Sequence, residues 1–135
     1  MSKQSVAPYI NFQGRAREAM EFYHAVFGGK LELYARDANG APKPATDGDP
    51  IMHAQLESDG LVIIASDGHP SYPVQVGDNV AIVFATSDRE HALRTFDALA
   101  AGGKVKMGIT DMPWGAAGWM ADKFGINWNF DVHKS

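Results

Sequence analysis

Two stretches of this 135-residue chain share one grammar. Phe22 to Leu33 reads FYHAVFGGKLEL, and Phe96 to Met107 reads FDALAAGGKVKM. Phe22 matches Phe96, Gly28-Gly29-Lys30 matches Gly102-Gly103-Lys104, and Leu31 and Leu33 match Val105 and Met107. The offset is 96 − 22 = 74 residues without a gap. Each copy is an apolar-faced helix, a glycine pair that stops it, then a strand of alternating character. A chain written this way folds as one module used twice.

The flanking sequence completes both modules. Val6 to Phe12 reads as a strand, and Gly14 opens a helix running to about Phe27. That helix has Ala16, Ala19, Met20, Tyr23, Val26 and Phe27 on one stripe. Lys30 to Arg36, Ile51 to Glu57 and Leu61 to Ser66 are strands, the last two joined by the tight-turn pair Asp59-Gly60. Asp37 to Pro50, rich in Gly, Pro and Asp, has the length and composition of a lid or flap. The second half repeats the order. Asn79 to Ala85 is a strand, and Ser87 and Glu90 form a capping box for a helix with Ala92, Leu93, Phe96, Leu99 and Ala100 on its stripe. Strands follow over Lys104 to Ile109, Ala117 to Ala121 and Ile126 to Val132, with Thr110 to Gly115 as a loop. The expected fold is α+β: two tandem βαβββ modules, residues 6–66 and 78–133, within one domain of 1–135. They form a curved mixed sheet with an open trough and helices on the outer face. A trough between modules is a common place for a ligand.

Composition narrows the function classes. The chain has no cysteine, which removes disulfides, thiol nucleophiles and Cys-based metal sites together. The formal charge is −4 with no basic stripe, which argues against nucleic acid. No apolar run reaches membrane-spanning length, and MSKQSVAPY has no apolar core of a secretory signal, so a cytoplasmic protein with no membrane partner is expected. There is no G-x-S-x-G elbow.

Strand parity places Tyr9, Asn11, Gln55, Ser66, Asn79, Asn127 and Asn129 on the inward face, a hydrogen-bonding and largely uncharged lining. His53 shares that parity and is the candidate general acid–base, since imidazole titrates near neutrality; a structural histidine bonded within the sheet is the alternative. Asp67 follows the strand ending at Ser66 as a hinge or turn residue, and His69, in the loop beside Pro70, borders the predicted cleft. Trp114 either stacks on a planar ligand or plugs the core. The candidate ligand-binding set is therefore Tyr9, Asn11, Gln55, Ser66, Asp67, Asn79, Trp114, Asn127 and Asn129, with His53 as the catalytic candidate.

The paired modules resemble the vicinal oxygen chelate superfamily, which holds glyoxalase I, the extradiol dioxygenases and the bleomycin-resistance proteins. Within it they resemble the PhnB-like branch. PYINFQG at residues 8–14, EFYHAVFGGKLE at 21–32, IMHAQL at 51–56, ASDGHP at 65–70, FDALAAGGKVKM at 96–107, PWG at 113–115 and DKFGINW at 122–128 carry the resemblance.

The resemblance implies a small-molecule ligand and a homodimer, in some members with modules exchanged between chains. Metal-using members hold a divalent ion with His or Glu on the first, fourth, fifth and last strands. The matching positions here are Ala7, Pro8 or Tyr9; Ile64 or Ser66; Asn79; and Asn129, with Asp78 or Asp131 in an alternative register. Amides and a hydroxyl do not make such a set, so no metal and no cofactor are expected. A non-standard site from His53 with Asp67 or His69 is the alternative. Members of the branch often carry a methyltransferase label. A methyl-donor cofactor normally needs a glycine-rich turn from strand to helix, whereas both glycine pairs here end helices.

Three functions follow. The first is a metal-independent small-molecule binding protein of glyoxalase/bleomycin-resistance type. The second is an isomerase, lyase or oxygenase using a non-standard metal or His53 as base. The third is a non-catalytic dimeric scaffold.

Overall fold

The first helix stripe becomes a buried face. In the computed structural model, which describes residues 4–134, α1 spans Ala16–Phe27, and Ala16, Ala19, Met20 and Tyr23 are fully buried. Four side chains at i, i+3, i+4 and i+7 make one apolar strip, and burying it against a sheet is what holds a 12-residue helix in water. Gly28 ends it with φ +69 and returns its N–H to the His24 carbonyl at 2.8 Å.

The chain divides after Val74 into two compact units. In the first, β1 (Tyr9–Asn11), β2 (Lys30–Arg36), β3 (Pro42–Pro44), β4 (His53–Ser58) and β5 (Leu61–Ser66) form a five-stranded sheet in the order β1-β5-β4-β2-β3. β1 and β5 are parallel and the other pairs antiparallel, so the sheet is mixed. Leu56 pairs with Leu31 and Ile63, and Ala54 with Leu33 and Ala65. This set faces α1, and Ser58 Oγ donates to the Phe27 carbonyl at 2.9 Å from the same side. The Asp59-Gly60 turn is a two-residue hairpin, as its sequence predicts, with Ser58 opposite Leu61.

The segment 37–50 is not the free flap its composition suggests. Its centre is strand β3, paired to β2 with Lys43 opposite Ala35. Its end is held by Arg17, whose Nη2 donates to the carbonyls of Thr46 (2.8 Å) and Asp49 (3.2 Å). Backbone pairing and one guanidinium outweigh the local Gly/Pro/Asp signal.

In the second unit, β6 (Ala81–Thr86), β7 (Lys104–Met112), β8 (Gly115–Ala121) and β9 (Asn127–His133) form a mixed sheet in the order β6-β9-β8-β7, with helix α2 at Arg89–Ala100. Trp128, Phe130, Val132, Ala116 and Met120 are buried on the helix side, where Phe130 stacks on Phe84 and meets Phe96 edge-on. Three expectations change here. The N-cap of α2 is Asp88, whose Oδ1 accepts from the His91 N–H at 3.0 Å; the carboxylate displaces the Ser87–Glu90 box because a negative acceptor suits a helix start better than a hydroxyl. On α2, Thr95 is buried while Leu93 is 41% exposed. Residues 110–115 are not a loop: β7 continues to Met112, opposite Gly115, leaving Pro113-Trp114 as a two-residue turn.

Both units thus repeat one plan, strand, helix and antiparallel strands in a mixed sheet covered by one helix. This is the α+β tandem-module fold that the repeat predicts.

Candidate ligand-binding site

In each sheet, the residues alternating with the buried set lie on the face away from the helix. On the first sheet these are Tyr9 and Asn11 of β1, Ser66 of β5, His53, Gln55 and Glu57 of β4, and Lys30, Glu32 and Tyr34 of β2. Parity therefore brings Tyr9, Asn11, His53, Gln55 and Ser66 to one surface. Tyr9 Oη and Ser66 Oγ share a short hydrogen bond. Ser66 Oγ also accepts from the Gly68 N–H (3.1 Å), and Asn11 Oδ1 from the Gln13 N–H (2.8 Å), so both also shape the turns that follow their strands.

The lining is more charged than the sequence reading gives. Glu32 accepts from Tyr34 Oη at 2.8 Å and pairs with Lys30 at 2.9 Å, while Gln55 donates to Glu57 at 2.6 Å. His53 lies opposite Tyr34 in the ladder, ring centroids 6.1 Å apart. The signal was available: Glu32 alternates with Leu31 and Leu33, and Glu57 follows Leu56, so both carboxylates share the parity of Gln55.

The Lys30 ammonium, followed by the Tyr34 hydroxyl, holds the Glu32 carboxyl below its ordinary value. The same contacts raise Lys30 and Tyr34. A carboxylate with a depressed folded-state value contributes stability above its unfolded value, and that contribution is lost as pH falls through the lower folded value. In a carbon-detected NMR titration, Glu32 is expected to titrate below the ordinary glutamate range and to return toward it in Lys30→Met.

Beyond the carboxyl ends of the parallel strands β1 and β5 lies a cavity of about 850 Å³. Asn11, Arg17, Ile51, His69 and Tyr72 are among its lining residues. The His69 and Tyr72 rings are 5.8 Å apart, and His69 Nδ1 accepts from the Ser71 N–H at 3.1 Å, which leaves the proton of the neutral ring on Nε2. Asp67 also borders this cavity, with both oxygens engaged: Oδ1 accepts from the Ala16 N–H at 2.9 Å and Oδ2 from the Ile51 N–H at 2.7 Å. It caps α1 from outside the helix and ties the start of β4 to it. Removing a half-buried carboxylate that serves two backbone donors costs about 2 kcal/mol, so Asp67→Ala is expected to lower the urea midpoint correspondingly.

On the second sheet the face away from α2 carries Val83, Asn127, Asn129, Asp131 and Trp119. Asn127 Nδ2 donates to the Val80 carbonyl at 3.2 Å; Asn129 is exposed. Two predicted residues lie off the strands. Asn79 is exposed and precedes β6, which starts at Ala81 rather than at Asn79, so strand parity does not aim it. Trp114, at the β7–β8 turn, is 56% exposed and does not plug the core.

The superfamily's metal set does not fit these positions. Tyr9 and Ser66 are bonded to each other, Ile64 is apolar, Asn79 is off its strand, and Asn129 is an amide. Among the described residues no group of three or more His, Asp or Glu side chains could hold a metal ion. Nor is any helix among them long and apolar enough to cross a membrane.

The family model for 3-demethylubiquinone-9 3-methyltransferase matches residues 4–130, with both modules in order. The chain belongs to the PhnB-like branch of the vicinal oxygen chelate superfamily. Protein YjdN of Escherichia coli K12 is 30% identical over 142 residues, covering 96% of this chain and 95% of that one. Protein PA1353 of Pseudomonas aeruginosa, a crystal structure, aligns with a TM-score of 0.84 at 34% identity, over 98% of this chain and all of that one. The PhnB protein of Bacillus cereus aligns at 0.74 with 25% identity, over 96% of this chain and 99% of that one. As a member of this branch, the chain carries its polar residues where the fold turns its sheets away from the helices.

Proposed function

We propose that this protein is a metal-independent small-molecule binding protein of the glyoxalase/bleomycin-resistance-like type. The observation that carries the reading is the 850 Å³ cavity at the carboxyl ends of β1 and β5, bordered by apolar Ile51 and by the polar groups of Asn11, Arg17 and His69. Its volume and mixed lining are those of a site for a molecule of metabolite or drug size. Asn11, Arg17 and His69, which border the cavity, orient rather than activate such a ligand. Isothermal titration against a small-molecule library with a chelator present tests it. Binding that survives chelation is expected; a strict metal requirement overturns it.

We do not extend the methyltransferase activity in the family's description to this chain. The turn from β1 to α1 has a single glycine, Gly14, and the first N–H of α1 is already taken by the Asp67 carboxylate.

One observation favours a catalytic reading, with His53 as general base. His53 shares its face with the Tyr34–Glu32–Lys30 relay, which could position a substrate proton. Loss of turnover in His53→Ala with ligand affinity kept would support it. A homodimer is proposed from the family. Light scattering at micromolar concentration is expected to give twice the 14.6 kDa chain mass.

A further inference from the structure

The charged groups that border the first unit's cavity are engaged unequally. Glu18, Asp49 and Asp67 are the carboxylates of its lining, and each is occupied within the fold. Glu18 pairs with Arg15 at 3.2 Å. Asp49 Oδ2 accepts from the Thr46 N–H (2.9 Å) and hydroxyl (2.8 Å) and meets Lys43 Nζ at 3.5 Å. Asp67 gives one oxygen to the Ile51 N–H and the other to the Ala16 N–H, at the positive end of α1.

Arg17 differs. It is half-buried, and no carboxylate pairs with it among the described residues. Its Nη2 donates to the neutral carbonyls of Thr46 and Asp49, which fix the guanidinium in place and leave the N–H groups of Nε and Nη1 without a partner there. His69 adds a donor to the same lining. Its Nδ1 accepts from Ser71, and the Nε2 proton of the neutral ring has no partner among the described residues. Gln13, held at φ +51 with its N–H on Asn11 Oδ1, adds a primary amide. The lining therefore keeps one uncompensated positive charge and idle donors, while its carboxylates are all engaged. Ile51, Pro73 and the Tyr72 ring supply apolar surface beside them.

We infer that this cavity takes a monocarboxylic acid with a flat apolar body. The carboxylate accepts from the N–H groups of Arg17 that the two carbonyls leave unused, a charge-assisted contact, and His69 Nε2–H is the further donor. The body lies against Ile51, Pro73 and the Tyr72 ring. One uncompensated cation selects one negative charge. A dianion brings a second charge that nothing in the lining matches, and a cation meets Arg17 as a like charge. The inference rests on the small-molecule-binding reading and gives it a ligand class.

Benzoate, benzamide and benzamidinium, one ring with three charges, test it when titrated into the ¹⁵N-labelled full chain. Saturable shifts of the Gly68 and His69 amides are expected with benzoate, with benzamide binding about tenfold more weakly and benzamidinium not at all. Arg17→Gln should abolish the preference for benzoate over benzamide, and Arg17→Lys, which keeps the charge, should retain most of it. Arg17 also ties residues 46–49 to α1, but loss of that tie alone would weaken both probes alike and preserve their ratio. His69→Phe leaves the tie in place and should lower benzoate affinity about fivefold. Equal affinity for benzoate and benzamide, a preference for benzamidinium, a ratio that survives Arg17→Gln, or benzoate binding unmoved in His69→Phe overturns the inference. Library ligands without an acid group that shift these amides while benzoate does not leave the binding-protein reading standing and sink this one alone.

Discussion

Asp122→Ala is expected to destabilise the protein by about 4 kcal/mol, the largest single-residue effect in the second unit. Asp122 is 3% exposed, and three N–H donors stabilise its carboxylate. Its Oδ1 accepts from the backbone of Phe124 (2.8 Å) and Ile126 (3.1 Å), and its Oδ2 from Trp128 Nε1 (2.9 Å). Truncation leaves the buried indole N–H of Trp128 and two backbone donors without an acceptor, each worth about 1–3 kcal/mol according to how well water replaces the oxygen. Asp122→Asn keeps the shape but turns an N–H₂ toward one donor set, so about half that loss is expected. Urea unfolding followed by tryptophan fluorescence checks both. Equal stability of Asp122→Ala and wild type would mean that the β8–β9 connection does not depend on this carboxylate.

The second large effect separates two adjacent glycines. Gly28→Ala is expected to cost about 1 kcal/mol and Gly29→Ala about 3 kcal/mol or more. Both have positive φ, +69 and +89, and pay the usual penalty for a side chain there. At Gly28 an added methyl meets nothing, whereas at Gly29 it would sit against the backbone of β4, 2.8 Å from Ser58 Cα and closer still to the Glu57 carbonyl. Backbone cannot step aside cheaply. The repeat predicts the same division in the second unit. Gly102 has φ +76 and only the side chain of Lys123 near it, while a methyl on Gly103 would lie 2.9 Å from Asp122 Cα. In both copies the first glycine reverses the chain and the second lets it pass close to the next strand. Chemical denaturation of the four single variants is expected to rank the second glycine as costlier in each pair.

That division explains why the fold was readable. A helix stripe, a glycine pair and an alternating strand are each local signals, and they agree with one another twice over. Lys30–Arg36 and Leu61–Ser66 match the observed strands end to end because turn residues fence them. β3 is not legible in the sequence because nothing in Pro42-Lys43-Pro44 favours a strand; its pairing to β2 is a tertiary effect.

The site was legible by half. Parity placed His53, Gln55, Asn127 and Asn129 on the faces away from the helices, since period-two alternation survives whatever the strand ends do. Asn79 failed because it fell outside the strand, where parity has no meaning. Glu32 and Glu57 obey the same parity rule, but their place in the lining rests on i, i+2 contacts with Lys30 and Gln55 that residue type alone does not mark. Asp67 shows the limit of reading residue types. Its job as a cap for α1 depends on a contact across 51 residues, which no local pattern records.

The Pro-Lys-Pro strand has a consequence for crowding. Ala45 donates its N–H inward to Leu33, so alternation along the strand turns the nitrogens of Pro42 and Pro44 outward. Those nitrogens carry no hydrogen. That rim of the sheet offers carbonyl oxygens to a passing chain but no donors in return, so an invading strand finds half a ladder. Fibril growth and accidental template pairing are thereby discouraged on this flank, without any side chain having to repel the intruder.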